Sequence, residues 1–149
     1  MATTTGTAVW YDKGKGKIVG GTINLDTPDL RVLLLTSGYT PSATTHDYLN
    51  DVTTYEITTN GASRYALSGE AKTEVSAGLW MYDSNDPTWT ASGGSIVARY
   101  WILYNYNAVD SAAELIMYGL LDNTPADVTT TIGNPLTITV PANGWFRWT

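Results

Sequence analysis

The chain of 149 residues contains no cysteine. Disulfides, thiolate metal sites and a cysteine nucleophile are therefore all excluded. There is a single histidine, His46, so any imidazole chemistry would have to pass through that one loop position. Basic residues are scarce: eight Lys and Arg stand against fourteen Asp and Glu, a net charge of −6. Such a chain lacks the positive footprint that displaces counterions from nucleic acid. The only basic run, Lys13, Lys15 and Lys17 in DKGKGK, has neither the spacing nor the terminal hydroxyl of a phosphate-binding GxxxxGK loop. It reads as the solvated tip of a hairpin, with a weak anionic contact as the other reading. No apolar run approaches the roughly 20 residues of a bilayer-spanning helix. The opening MATTTGTAVWYDKGKGK has no basic segment followed by an apolar one, so no secretory leader is expected.

What replaces charge is threonine, with 24 copies, together with six tryptophans and ten tyrosines. Beta-branched and aromatic side chains suit a pleated, half-buried surface. RVLLLTS (31–37) reads as a strand buried on both faces. SIVARYWILYNY (95–106) reads as one long strand. Ile96, Ala98, Tyr100, Ile102 and Tyr104 share its core face, and Val97, Arg99, Trp101 and Leu103 share the other. Arg99 is free to snorkel or to pair with an acid across the sheet. AELIMYGLL (113–121) suits a strand or a helix; the turn-rich segments on either side favour a strand. VTTYEITT (52–59) alternates like a strand with one wet face. Thr45 is placed to cap one helical turn over 45–50. NG at 60–61 is a hairpin-turn signal. PLTITV is expected to pair with NGWFRWT through the PANG turn.

Short strands separated by turns every 8 to 12 residues or so suggest an all-β chain. The expectation is a single-domain antiparallel β-sandwich, jelly-roll or immunoglobulin-like, over residues 30–149. Residues 1–29 would form an extended N-terminal arm and a first hairpin.

Candidate chemistry is thin. His46 lies beside Asp47 and near Asp51, which permits a base but equally a loop held by polar bonds. No serine stands in GxSxG. Asp83, Asn85 and Asp86, and likewise Asp122, Asn123 and Asp127, carry oxygen donors but not the calcium-loop pattern, and read as turns. No cofactor, metal or catalytic residue is assigned. The aromatics Trp80, Trp89, Trp145, Phe146 and Trp148, with Arg147, are candidates for a protein interface, where aromatic and arginine anchors dominate. Core packing and ligand stacking are the other readings.

LLLTSGYTPSATTHDYLNDV, then Trp89, IVARYWILYN, ELIMYGLLD and LTITVPANGWFR, in this order, resemble a family of small structural proteins encoded among the head and tail genes of tailed bacteriophages. The pattern LLTSxYTPxxxTHxxxxDV is the most specific part. NGASRYALSG departs from the family's more glycine-rich turn, and KGKGK has no counterpart in it. The resemblance implies no catalytic residues and makes His46, Asp47 and Asp51 part of a shared, loop-shaping network. It implies a virion protein assembled in the host cytoplasm: a decoration or cement protein on the head. Such a protein would bind the major capsid protein, as a homo-oligomer with a trimer favoured, and contact neither membrane nor nucleic acid. A tail-side adaptor or fibre accessory protein, or a carbohydrate-binding module using Trp80 and Trp89, are the alternatives.

Overall fold

The computed structural model describes residues 2–4 and 8–149. Strands β1 (Ala2–Thr4) and β2 (Val9–Trp10) precede the helix α1 (Asp12–Val19). After β3 (Leu30–Leu35) the chain runs through two short 3-10 turns, Leu49–Asp51 and Thr53–Tyr55. Then come β4 (Tyr65–Ala66), β5 (Ala71–Ser76), β6 (Leu79–Asp83), β7 (Thr88–Thr90), β8 (Ile96–Ala98) and β9 (Tyr100–Asn105). The closing strands are β10 (Leu115–Leu120), β11 (Val128–Thr130), β12 (Pro135–Thr139) and β13 (Phe146–Trp148).

These strands do not form the expected antiparallel sandwich, jelly-roll or immunoglobulin-like fold. They form four separate, unclosed sheets. The central one has five strands in the order β2-β10-β9-β3-β4; around it lie β1-β12-β7, β13-β6-β5 and the pair β11-β8. One pairing, β1 with β12, is parallel. Most strands outside the central sheet have three residues, the longest of them, β5, is exposed along its whole length, and the stretch between β3 and β4 supplies no long strand to face the sheet. Residues 52–59, expected as a strand, contain the second 3-10 turn instead, and only Glu56 bridges to Leu35. The helical turn expected over 45–50 is displaced to Leu49–Asp51, with Tyr48 rather than Thr45 as its cap.

The central sheet is buried on both sides, and RVLLL is the reason. Val32 and Leu34 enter one core with Trp101, Leu103, Trp89 and Phe146. Leu33 and Leu35 enter a second core with Ile102, Tyr104, Tyr11, Tyr39 and Leu49. Period-two alternation thus feeds two cores from one strand. The first core is covered by side chains of the small flanking sheets. The second is covered by irregular chain from the 39–55 segment and by Tyr11.

The expected single strand over 95–106 is broken at Arg99. Its N–H donates to Leu35 O (2.9 Å), and its guanidinium bonds Asp127 Oδ1 (2.9 Å) across the β8–β11 pair. The break shifts the side-chain parity by one residue. Ile96 and Ala98 consequently join Trp101 and Leu103 in the first core, not Ile102 and Tyr104 in the second. Within the 113–121 segment Leu115–Leu120 is a strand, with a bulge between Leu115 and Met117. The expected hairpin of PLTITV with NGWFRWT is also absent. β12 pairs with β7 and β1, while β13 pairs with β6.

The lysine-rich segment expected as a hairpin tip is α1. Its sequence, DKGKGKIV, is a poor helix former on its own, because each interior glycine costs about 1 kcal/mol relative to alanine. Tertiary contacts supply what propensity does not. Asp12 N–H donates to Ala43 O (3.0 Å), and Lys17 Nζ reaches Glu114 Oε1 on the sheet side (2.8 Å). Asp12 in the first turn and Lys17 in the last also complement the helix dipole. Gly14 is the contact point: a Cβ there would stand 2.0 Å from Leu115 O, whereas one on Gly16 would meet nothing within 4 Å.

Arg64 ties the loop segments together. Its Nε and Nη2 donate to the two Glu56 carboxylate oxygens (2.8 and 2.9 Å). Its Nη1 and Nη2 donate to those of Asp110 (2.7 and 2.9 Å). The Glu56 side chain is only 5% exposed, so a partner is obligatory. These pairs hold the guanidinium well above its ordinary range and, against some burial, hold Asp110 below the usual carboxylate range.

Three stability outcomes follow from this packing. Gly16→Ala should raise stability by about 1 kcal/mol, a Tm increase of about 2–4 °C. Gly14→Ala should lower it by about 1–3 kcal/mol, because the helix must lift off β10. Opposite signs in thermal melts check the helix and its contact together. Arg64→Gln should cost about 3 kcal/mol in urea unfolding, since it strands a buried carboxylate. A loss below about 1 kcal/mol would contradict the clamp.

Candidate functional site

Two groups of side chains stand out, one beside each core. The first is built from the closing segment. Trp145 turns inward: its ring meets Trp101 edge-on at 5.3 Å between centroids, and its Nε1 donates to Ser84 Oγ (2.9 Å). Phe146 stacks on Tyr82 (5.2 Å, 9° between planes) and also touches Trp10 (4.9 Å) and Trp148 (5.8 Å). Trp148 is half-buried and pairs in register with Trp80, also half-buried, on β6. Arg147 between them is exposed.

Outside Phe146 and Trp148 opens a cleft of about 530 Å3, within the roughly 300–1,000 Å3 usual for ligand sites. Its apolar lining is Trp10, Ile18, Ile23, Leu25, Phe146 and Trp148. Its cations are Lys15, Lys72 and Arg147. Lys15, Ile18 and Val19 come from α1, so the docking of that helix on β10 sets one wall. Val19, on the rim, is 83% exposed. Lys72 pairs with Asp26, whose side chain is 68% exposed. Lys15 and Arg147 make no ion pair among the described residues.

Of the six interface candidates, the structure therefore brings Phe146, Arg147 and Trp148 to one cleft. Trp80 lies beside Trp148 on the neighbouring strand. Trp145 and Trp89 are core residues, 5% and 2% exposed. The indole of Trp89 donates to Ser63 O (2.7 Å) and meets Tyr65 edge-on (5.4 Å). A sugar platform made from Trp80 and Trp89 is thus not available at Trp89. Sequence reasoning missed Trp10 and Lys72, and it singled out Lys15 only within a basic run read as a solvated tip or a weak anionic contact, without linking it to Trp148. Trp10 and Lys15 lie more than 130 residues from Trp148, and no local pattern links them to it.

The second group surrounds His46. Its Nδ1 lies 3.0 Å from Tyr39 Oη, which lies 2.6 Å from Tyr11 Oη. Tyr11 is buried and its hydroxyl has only Tyr39 as partner among the described residues. Donation therefore runs from Tyr11 to Tyr39 to His46, whose Nδ1 accepts; the reverse order would leave the Tyr11 proton unpaired. Burial pushes both phenols up, Tyr39 to about 12 and Tyr11 further. Asp51 Oδ2 accepts the backbone N–H groups of Asp47 (2.8 Å) and Tyr48 (3.0 Å). Asp47 in turn takes the Lys13 ammonium (2.5 Å). The three residues grouped from sequence thus meet in one loop, where His46 Nδ1, Asp47 Oδ2 and Asp51 Oδ2 each hold a bond within the loop or to α1.

The remaining candidate donors make turns or pairs. Asp83 accepts Ser84 N–H, Asp86 accepts Val140 N–H and Asp122 accepts Thr124 N–H, while Asp127 holds Arg99. Among the described residues no three His, Cys, Asp or Glu side chains gather in a metal-binding group. Comparison with protein-family models, curated proteins and solved structures finds no match to this chain.

The wall of the cleft carries a pH dependence. Burial pushes the Glu114 carboxyl up, but Lys17 and Asn105 Nδ2 (2.9 Å) outweigh it and hold the group below the usual carboxylate range. A depressed folded value stabilises above the unfolded pKa of about 4.3 and is lost as pH falls through the folded value. Below about pH 4 the α1–β10 contact should therefore loosen. Amide exchange of α1 and Trp10 fluorescence should report it, and Glu114→Gln should remove this step from the pH profile. A profile identical in the variant would refute the assignment to Glu114.

Proposed function

We propose that the protein is a non-enzymatic structural component of a tailed-phage particle. It acts as a decoration or cement protein on the head, binding major capsid subunits as a homo-oligomer, with a trimer favoured. The reading joins the resemblance of the 32–52 and 89–121 segments to one observation that carries it: the cleft beside β13. Aromatic rings there lie next to Lys15 and Arg147, which make no ion pair among the described residues. An aromatic cluster with arginine is the composition of energetic anchors in protein interfaces. The His46 group is compatible with the same reading, because His46 Nδ1, Asp47 Oδ2 and Asp51 Oδ2 each make a bond that holds the loop. Many copies, each burying a modest apolar area at about 25 cal/mol per Å2 before association costs, can stiffen a shell collectively.

Mass spectrometry and cryo-microscopy of purified particles test this reading. Density for the chain is expected over the seams between capsid subunits, at a copy number that follows the symmetry of the shell. Absence from the particle overturns it. A copy number that follows the rotational symmetry of the tail replaces it with a tail-side adaptor or fibre accessory.

A further inference from the structure

We infer that the cleft between α1 and β13 receives an extended, acidic segment of a partner protein, anchored by one large apolar side chain. The inference rests on the reading of this face as a docking surface and specifies what docks there.

Charge is the first argument. Six of the eight basic residues are in ion pairs within the chain: Lys13, Lys17, Arg31, Arg64, Lys72 and Arg99. The other two, Lys15 and Arg147, both line this cleft. With fourteen acidic residues in the chain, unpaired cations are not the default, and two on one cleft leave a local positive excess on an acidic molecule. Lys72 adds to it, since the exposed Asp26 can be displaced. Carboxylates on a partner would form charge-assisted bonds here that the chain itself does not supply. A polyanion such as nucleic acid would meet the repulsion of the whole molecule, whereas a short acidic segment meets chiefly the local field.

Backbone geometry is the second. β13 has one neighbour, β6, and β2 has one neighbour, β10, so each presents an open edge among the described strands. The rings of Trp10 on β2 and Phe146 on β13 lie 4.9 Å apart, and both residues line the cleft, so both strands reach it. An open edge is a template for an added strand. Arg147 on the β13 edge disfavours basic strands and admits acidic ones, which gives the edge selectivity as well as protection. The apolar lining from Trp10 to Trp148 then offers the added strand a place for one aromatic or branched side chain.

Selection from a library of short random peptides on the immobilised full chain tests this. Enriched peptides should be acidic and carry one aromatic or large aliphatic residue. Lys15→Glu with Arg147→Glu should weaken their binding at least tenfold, about 1.4 kcal/mol, and raised salt should weaken it too. Both positions are exposed, so thermal melts of the variant should match the parent. Enrichment of basic or uncharged peptides, no enrichment, or binding indifferent to the charge reversal overturns the inference. Self-association abolished by the same variant would make a second copy the occupant and overturn it as well. So would binding to acidic sugars on a glycan array that this variant alone loses. Presence in the virion without acidic-peptide selection sinks this inference and leaves the proposed function standing; selection without presence in the virion does the reverse.

Discussion

The whole molecule depends on a central sheet that must be covered twice. Leu33, Leu34 and Leu35 are each 1% exposed or less, and Ile102 and Trp101, opposite Leu33 and Leu34, are equally buried. No polar face remains on β3 or β9 to meet water. A sheet of this kind needs two covering layers, and at 149 residues the chain has little length to build them. It covers one side with pieces of three small sheets and the other with a tied-down loop. Polar side chains make the loop a layer: Asp51 on two backbone N–H groups, Arg64 between Glu56 and Asp110, and the Tyr11–Tyr39–His46 chain. Asp51 fixes exposed backbone, whereas the Arg64 and tyrosine groups satisfy polar atoms that are at least partly buried, which is the larger cost in a region lacking strand ladders.

Legibility in the sequence follows from the range of the forces involved. Three consecutive leucines signal double burial directly, and the strand at 115–120 follows from composition and flanking turns. The loop network around His46 could be grouped because its members lie within six positions of each other. The parity shift at Arg99 could not be read, because alternation continues through it without a gap. Only the contacts with Leu35 and Asp127 show that one residue is spent on a bend. The helix was hidden for the opposite reason. Glycine at 14 and 16 argues locally for a turn, while Gly14 is there to let α1 lie against Leu115. The sandwich expectation failed at the same level: strand count and spacing do not say whether strands gather into two sheets or scatter into four.

The cleft was half legible. WFRW announced an unusual concentration of rings around an arginine, and three of its four residues do line the cleft or its immediate edge. Its other wall comes from α1 and β2, from the far end of the chain. The distinction between anchors and core was equally inaccessible, since Trp89 and Trp148 are alike in local sequence context but differ in what packs over them.

The cleft is not an independent surface, because its wall is only as fixed as the helix. α1 is short and glycine-rich, and it is held by Gly14 against the strand and by ion pairs at Lys13 and Lys17. Those two lysines are consumed in fixing the helix. Lys15, between them in sequence, is left over. With the helix wound at 3.6 residues per turn, Lys13 and Lys17 share a face, and Lys15 is turned away from it. The alternation of lysine and glycine thus has one physical meaning: two cations and a missing Cβ secure the helix to the protein, and the remaining cation is presented at the cleft. Any partner that pairs with Lys15 is therefore read by a helix whose position was set by its neighbours.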